Sequence, residues 1–346
     1  MRVDTLTTDL AEAYESFVQG REAGLFYHGL RYRDFLKRLL GCEEHYLLAT
    51  DGGVVRGVLP LLVADGPRGR VINSLPYYGS NGGILADDRR AVAALVEAYN
   101  ALATADGVLS ATVIGNPFAA DDLAAEVGHT HTDRRRGQFT ALDCESASRE
   151  AMMGRIAPAA RRNVRKAARE GVTVRTDAGC LDRLRQMHQE GMAAIGGMAK
   201  SDRFFELVGE HFEAGREFDV YVAELRGQVI AALLVLYYNG TVEYFTPASD
   251  PELRAVQPLA AILIAALADA AGQGFRRWNW GGSWTNMTGV YRFKRKWAAE
   301  ERTYHYYTQL NDAGVLDWSS EAILAAYPSF YVVPFSALNR RESDER

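Results

Sequence analysis

A lysine among aromatic residues is the feature of this sequence most suited to chemistry. The segments FRRWNWGGSWTN and GVYRFKRKW, between residues 275 and 297, place Phe293 and Lys294 shortly after a tryptophan-rich stretch. Trp278, Trp280 and Phe293 would shield the lysine ammonium from water. A shielded ammonium stabilises a developing oxyanion better than one in bulk solvent. The structural alternative is a lysine that extends from an aromatic core to the surface, and the residues alone favour that alternative.

A second candidate is a strongly basic segment. Between residues 155 and 175 the chain has seven basic residues and one acidic residue. On a helix, four of the basic residues share one face, and these are Arg162, Arg165, Lys166 and Arg169. This face could bind the phosphates of a donor or an acceptor. It could equally be a solvated face whose charge is balanced by acids elsewhere.

A glycine-rich stretch, LPYYGSNGGIL at residues 75–85, is a third candidate. Its three glycines allow the backbone to approach a ligand closely, so exposed amides could bind a carbonyl or phosphate oxygen. Tyr77 and Tyr78 offer stacking faces for a ligand. The spacing matches neither a P-loop nor a dinucleotide-binding fingerprint, and an ordinary loop after a strand is the alternative.

Composition disfavours several functional classes. The net charge of −5 and the pI of about 5.9 disfavour a protein that coats nucleic acid, so we expect no DNA partner. Cys42, Cys144 and Cys180 are far apart and form no CxxC motif, which indicates neither a zinc site nor a disulfide framework. We therefore expect no metal and a cytoplasmic protein in a reducing environment.

Membrane and hydrolase signatures are also missing from the sequence. The first residues have early acids and no apolar segment typical of a signal peptide. The longest apolar run begins at Leu259, is interrupted by Asp269 and is too short to span a bilayer, so it predicts a buried helix and no integral membrane segment. Neither GxSxG nor HExxH occurs.

The elements that must position these residues repeat a pattern of helices, a hairpin with a glycine turn, a strand, a helix and a strand. HYLLATDGGVVRGVLPLLV and VYVAELRGQVIAALLVLY give the two hairpins, and Asn239-Gly240 gives a further turn. This repetition predicts two similar α/β domains with mixed sheets, divided near residue 145. Helices are predicted at residues 8–20, 30–40, 88–106, 158–170, 179–194, 202–216 and 257–271.

The order of the motifs resembles that of a known family. RRNVRKAAREGVTVR, EYFTPASD, QPLAAILIAALADAAGQGF, WNWGGSW and GVYRFKRKW follow one another as in the Fem (FemABX) aminoacyltransferases and related acyltransferases of the GNAT superfamily. PYYGSNGGIL is similar to a loop of the first domain in that family. The resemblance implies two tandem GNAT-like (acyl-CoA N-acyltransferase-like) domains at residues 1–145 and 146–311. It also implies that residues 312–346 pack back on the first domain.

The resemblance also implies an activity. Fem ligases move an aminoacyl group from aminoacyl-tRNA to the amine of a cell-wall precursor or a small molecule, without a cofactor. Their Phe-Lys motif matches Phe293 and Lys294, and the lysine stabilises the charge that develops as the amine attacks the ester. A catalytic tyrosine of relatives corresponds to Tyr244, although this chain reads YFTPASD where relatives often have Tyr-Gly-Ala-Ser. Glu243 is a candidate acceptor of the amine proton.

Contacts to substrate phosphates are implied at Lys37, Lys200 and Arg203, in addition to the basic face of residues 162–169. Two departures qualify the resemblance. The chain has no long helical arm that could hold tRNA, and the helix that begins VQPLAAIL lacks the glycine-rich pyrophosphate loop of acetyl-CoA enzymes. The missing loop favours aminoacyl-tRNA as the donor. Two alternatives stay open: an N-acyltransferase that uses acyl-CoA, and a non-catalytic module that binds an anionic glycan or nucleotide sugar.

Overall fold

The structure is a computed structural model that describes residues 1–77, 82–119, 122–283 and 288–339. Internal contacts divide the chain into a first unit, Met1–Arg136 with Thr303–Arg346, and a second unit, Gly137–Arg302. The limits predicted from the sequence, near residues 145 and 311, lie a little further along the chain. The assignment of two domains stays a prediction.

Both units combine helices with β-sheet, which confirms the predicted mixed α/β fold class. The helices are α1 (Ala11–Gln19), α2 (Leu30–Leu40), α3 (Arg89–Ala103), α4 (Arg149–Arg155), α5 (Pro158–Arg169), α6 (Leu181–Ala193), α7 (Asp202–His211), α8 (Pro258–Gly272), α9 (Thr288–Arg295) and α10 (Ser320–Ala326). The strands are β1 (Arg2–Thr5), β2 (Glu43–Glu44), β3 (Leu47–Asp51), β4 (Val54–Leu59), β5 (Leu62–Ala64), β6 (Arg70–Asn73), β7 (Leu85–Ala86), β8 (Val108–Ile114), β9 (His131–Ala141), β10 (Thr173–Thr176), β11 (Phe218–Leu225), β12 (Gln228–Tyr238), β13 (Thr241–Ser249), β14 (Arg277–Ser283) and β15 (Glu300–Leu310).

The first unit is organised around helix α3. One sheet has the strand order β1-β3-β4-β7, and β8 pairs in parallel with β6 and antiparallel with the last residues of β15. Asp88 caps α3 by accepting a hydrogen bond from the Ala91 amide at 2.9 Å. Leu95 and Tyr99 are fully buried against the strands, so α3 anchors the core of this unit.

The residues after β15 belong to the first unit and contact its loops directly. The Tyr327 ring occupies the space that a Cβ at Gly66 would need, so only glycine fits there. Its hydroxyl donates to the Gly69 carbonyl at 3.1 Å. The Tyr331 amide donates to the Asn73 side-chain oxygen at 2.7 Å.

The second unit contains a sheet in the order β10-β11-β12-β13-β14. Its two hairpins turn at Arg226-Gly227 and Asn239-Gly240, as predicted, and all four residues have positive φ. Turns with two positive φ values match the right-handed twist of paired strands. β13 and β14 are parallel and are joined through α8, which provides the crossover that parallel pairing requires.

Helix α8 is buried on nearly every side, as its continuous apolar sequence predicts. Pro258 occupies the first turn, where the missing amide hydrogen costs nothing. Ile262 and Leu263 are fully buried in a core that also contains Trp278 and Trp297. No helix among residues 1–77, 82–119, 122–283 and 288–339 is long and apolar enough to cross a bilayer.

Several elements were not predicted. Helices α4 and α9 have only seven and eight residues, too few to give a clear apolar period. Helix α7 ends at His211 and α3 ends at Ala103, both earlier than predicted.

We expect Leu263→Ala to lower the free energy of unfolding by about 2–5 kcal/mol, because it leaves a cavity in the core around α8. Urea denaturation followed by circular dichroism measures this change. Leu324→Ala is the matched control, since Leu324 is 37% exposed, and its effect should stay near about 0.5 kcal/mol. Equal effects of the two substitutions would contradict the central role of α8.

Candidate active site

Lys294 lies in α9, and its ammonium is held against the end of β14. The Nζ atom donates to the carbonyl oxygens of Gly281 and Gly282, each at 3.4 Å. Gly281 has a φ of +75°, and its amide donates to the Asn279 side-chain oxygen at 2.8 Å. Glycine adopts this left-handed conformation without steric cost. This part of β14 thereby presents two successive carbonyl oxygens to the ammonium.

The Lys294 side chain is largely withdrawn from water. The residue is only 5% exposed. This burial lowers the pKa of Lys294 from its ordinary value of 10.5 to about 8. A poorly solvated cation interacts strongly with a nearby negative oxygen, because little water screens the charge. Lys294 therefore has the property that oxyanion stabilisation requires.

Aromatic rings connect the predicted catalytic residues. The Trp280 ring lies 5.0 Å from the Tyr244 ring and 6.4 Å from the Phe293 ring, measured between centroids. Phe293 also contacts Trp297 at 6.4 Å. The Trp280 indole donates to the Thr140 hydroxyl at 2.9 Å, which fixes the ring. The structure thus brings Tyr244, Trp280 and Phe293 together, in a cluster that Lys294 adjoins through its neighbour Phe293.

Tyr244 is a phenol rather than a phenolate at neutral pH. Burial raises the pKa of Tyr244 well above its ordinary value of 10. Its hydroxyl can therefore donate a hydrogen bond but cannot act as a base without a large cost. Glu243, the next residue of β13, is 1% exposed and pairs in register with Asn279 of β14.

A cavity of about 540 Å³ lies beside this aromatic cluster, within the second unit. We call it the candidate cavity. Phe293 and Trp297 form part of its wall, whereas Lys294 is not among the described residues that line it. Its lining residues are Ala160, Asn163, Met187, His188, Gly191, Met192, Ile195, Pro247, Ala248, Ser249, Arg254, Gln257, Pro258, Leu259, Ala260, Phe293, Lys296 and Trp297.

The walls of the candidate cavity combine apolar residues with two positively charged side chains. Arg254 and Lys296 line it, and none of the described lining residues is acidic. The first turn of α8 also forms part of the wall, and the amides at a helix N-terminus favour a negative group. An anionic molecule with an apolar portion therefore suits this cavity.

The turn that leads into α8 has an unusual backbone. Gln257 has a φ of +64°, a left-handed conformation that normally favours glycine. The residue lines the candidate cavity next to Pro258. The sequence lacks the glycine of an acetyl-CoA loop at this point, yet the chain adopts the positive φ that such a glycine would allow. Strain of this kind is often retained at functional sites.

The basic face of α5 keeps its charge unpaired within the described part of the chain. Arg162, Arg165 and Lys166 form no ion pair with any residue that the structure describes. Arg162 and Arg165 are exposed, and Lys166 is half-buried. Arg161, in contrast, donates to the Ile156 carbonyl at 3.0 Å and has a structural role. Exposed cations without ion pairs suit a phosphate-binding surface and a solvated helix face alike, so the role of this face stays a prediction.

Two other residues that were predicted to contact phosphates form ion pairs with glutamates. Lys37, in the first unit, pairs with Glu44 at 3.0 Å. Arg203 pairs with Glu206 and Glu210, each at 3.2 Å.

Lys200 is 7% exposed, and its Nζ lies 5.3 Å from the centre of the Phe245 ring. Burial lowers the pKa of Lys200 to about 8. Tyr78 lies outside the described residues. A phosphate-binding role of these residues stays a prediction.

Six polar residues of the candidate cavity were missed by the sequence analysis, and they are Asn163, His188, Ser249, Arg254, Gln257 and Lys296. Lys296 follows the Phe-Lys pair by two positions, so its proximity was the available signal. Arg254 and Gln257 precede α8 without the glycine pattern that would mark this segment as a binding loop. Within the described residues, no group of three or more His, Cys, Asp or Glu is placed to hold a metal ion.

Comparison with known proteins identifies the class. Residues 158–295 match the family model described as an acetyltransferase (GNAT) domain. The second unit therefore contains a GNAT domain, and the predicted resemblance to this superfamily is confirmed. No curated protein sequence matches the chain significantly.

Solved structures share the fold at low sequence identity. A crystal structure of FemX is 14% identical with a TM-score of 0.70, covering 88% of this chain and 97% of that chain. A tandem GNAT protein from the clavulanic acid biosynthesis pathway is 15% identical with a TM-score of 0.53, covering 89% and 98%. L-PGS from Bacillus licheniformis is 13% identical with a TM-score of 0.51, covering 86% and 95%. The chain thus shares the fold of FemX and of a tandem GNAT protein.

We expect Lys294→Met to stabilise the protein at neutral pH and to lose this advantage as pH rises. The ammonium has a pKa of about 8 when folded and 10.5 when exposed, so between these values the unfolded chain binds more protons than the folded protein. The free energy of unfolding of the wild type should therefore rise relative to the variant across this window, by up to about 3 kcal/mol. Urea denaturation at several pH values measures the difference. A difference independent of pH would contradict the lowered pKa.

Proposed function

We propose that the protein transfers an aminoacyl group from aminoacyl-tRNA to the amine of a small-molecule or cell-wall-precursor acceptor. The acceptor could be linked to a nucleotide. The observation on which this rests is the buried Lys294 ammonium, whose neighbour in the chain, Phe293, belongs to the aromatic cluster and lines the candidate cavity. Such a transfer needs no metal and no cofactor beyond the donor itself. It would take place in the cytoplasm, where aminoacyl-tRNA is found.

The proposed reaction is a direct attack of the amine on the donor ester. The nitrogen bonds to the carbonyl carbon, and the carbonyl oxygen becomes negative. As the carbonyl re-forms, the bond between its carbon and the ribose oxygen of the tRNA breaks, and this oxygen takes up the proton that the amine gives up. Lys294 would stabilise the negative oxygen, and Tyr244 could donate a second hydrogen bond. Glu243 is the proposed acceptor of the amine proton. Holding both substrates in one orientation would supply much of the remaining acceleration.

The proposed donor is supported by charge. The unpaired cations Arg162, Arg165 and Lys166 extend the positive surface of α5, whose residues Ala160 and Asn163 line the candidate cavity. A tRNA acceptor stem presents many phosphates, which such a surface would attract. The similarity of fold to FemX agrees with this donor.

Acyl-CoA is the second candidate donor, and one observation favours it. The left-handed Gln257 and the α8 N-terminus line the candidate cavity together with Arg254, an arrangement suited to a pyrophosphate. This alternative would retain amine acylation and replace only the donor.

Donor consumption separates the candidates. Labelled aminoacyl-tRNA and labelled acetyl-CoA are each incubated with the protein and a deproteinised small-molecule extract as the source of acceptors. Consumption of aminoacyl-tRNA alone supports the first proposal, and consumption of acetyl-CoA alone supports the second. If an anionic glycan or nucleotide sugar binds but neither donor is consumed, the protein is a binding module and the enzymatic proposal is wrong.

We expect Lys294→Met to reduce kcat by about 10²- to 10³-fold, because the oxyanion loses its cation. Lys294→Arg is the comparison, since it keeps a positive charge and should retain more activity than the methionine variant. Unfolding curves confirm that each variant is folded. Turnover by Lys294→Met at the wild-type rate would refute the catalytic role.

We expect the double substitution Arg162→Gln and Arg165→Gln to weaken aminoacyl-tRNA binding about tenfold and to reduce its salt dependence. Filter binding at several salt concentrations measures both effects. Arg216→Gln is the matched control, because Arg216 is exposed but already pairs with Glu213 at 3.1 Å. An equal effect of the control would mean that the α5 surface has no special role in tRNA binding.

A further inference from the structure

His188 of α6 lines the candidate cavity, and its ring accepts a hydrogen bond from the backbone. The residue is 9% exposed, and Met187, Gly191 and Met192 line the cavity from the same helix. The backbone amide of Lys200, in the connection between α6 and α7, donates to His188 Nε2 at 3.1 Å. This contact fixes the orientation of the ring.

The same contact determines which nitrogen holds the proton. Nε2 accepts a hydrogen bond, so it bears no hydrogen. In a neutral imidazole the other nitrogen, Nδ1, must then be protonated and act as a donor. The described residues offer Nδ1 no hydrogen-bond partner of their own. A ligand in the cavity can therefore receive this hydrogen bond.

The surroundings of His188 keep the ring neutral. Burial, together with the positive charge of Lys200, lowers the pKa of His188 to about 4. The charged groups that face this space are Lys200, Arg254 and Lys296, all of them cations, and no described lining residue is acidic. Nothing nearby would stabilise an imidazolium.

We propose that His188 is a neutral hydrogen-bond donor that binds an acceptor oxygen of the molecule in the candidate cavity, and that it is not a general base. A general base needs a free lone pair, and the only lone pair of this tautomer already accepts from Lys200. The atom beside His188 is then a carbonyl or phosphoryl oxygen rather than an ammonium, which the donor N–H and the two lining cations would repel. The inference rests on the proposed function in one respect only, that a substrate occupies this cavity.

The tautomer can be tested without any substrate. Long-range ¹H–¹⁵N spectra of protein labelled at histidine distinguish the two nitrogens, and the signals missing in His188→Gln identify His188. We expect Nδ1 to be protonated and Nε2 to be unprotonated from about pH 6 to pH 8. A protonated Nε2, or an imidazolium at about pH 6, overturns the inference whether or not any donor is consumed.

Two variants test the hydrogen bond to the ligand. His188→Gln can still accept from Lys200 and donate to a ligand, whereas His188→Phe keeps a ring against Phe205 but loses both functions. Equilibrium binding of aminoacyl-tRNA and of acetyl-CoA gives the Kd for each donor without turnover. For the donor that binds the wild type, we expect the Kd of His188→Phe to be about tenfold higher than the Kd of His188→Gln. This ratio of the two Kd values should stay constant from about pH 6 to pH 8.

The kinetic signature distinguishes positioning from base catalysis. Where a donor is consumed, His188→Phe should raise KM about tenfold and leave kcat within about twofold of His188→Gln. Equal Kd values for the two variants, binding of neither donor to the wild type, or a large loss of kcat at unchanged KM each overturns the inference. Loss of turnover in Lys294→Met tests the proposed function separately, so the two proposals can fail independently.

Discussion

The removal of one lysine ammonium from water is the constraint on which the candidate site depends. Burying a cation is costly unless polar groups replace its hydration. Here the carbonyl oxygens of Gly281 and Gly282 in β14 replace part of it, and Gly281 has a left-handed conformation at this point. Lys294 is only 5% exposed, so little water reaches it. The two glycines and the tryptophans belong to the same strand, β14, and both are needed to keep the ammonium buried.

The sheet of the second unit positions the groups around Lys294 through a single crossover connection. β13 contributes Tyr244, β14 contributes Trp280 and the two carbonyls, and α8 joins the strands while its first turn lines the candidate cavity. Because α8 is buried on nearly all sides, it fixes the distance between cavity and strands rigidly. The strained Gln257 is maintained by this packing rather than by local preference.

Much of the fold could be predicted from local sequence. The apolar run from Leu259 and the Arg226-Gly227 and Asn239-Gly240 turns have strong local signals, and each was identified correctly. Helix α9 was not, since eight residues rich in charge give no clear period. The position of Lys294 next to the aromatic cluster could be predicted, because Phe293, its neighbour in the chain, belongs to that cluster.

The cavity was less accessible to prediction. His188 reaches it through the packing of α6, and no motif marks that contact. The ion pairs of Arg203 could have been anticipated, since Glu206 and Glu210 follow at helical spacings. The pairing of Lys37 with Glu44 depends on how α2 meets β2, which sequence spacing does not determine.

The division of the chain into its two units has a consequence for synthesis on the ribosome. Gly137–Arg302 is one continuous segment, whereas the first unit includes residues from Thr303 onward. Tyr307 belongs to the core of that first unit, and Tyr327 fills the space above Gly66. Domains generally fold as units while the chain emerges. Residues 1–136 must therefore wait for the residues from Thr303 onward, and the second unit between them can complete its own folding earlier.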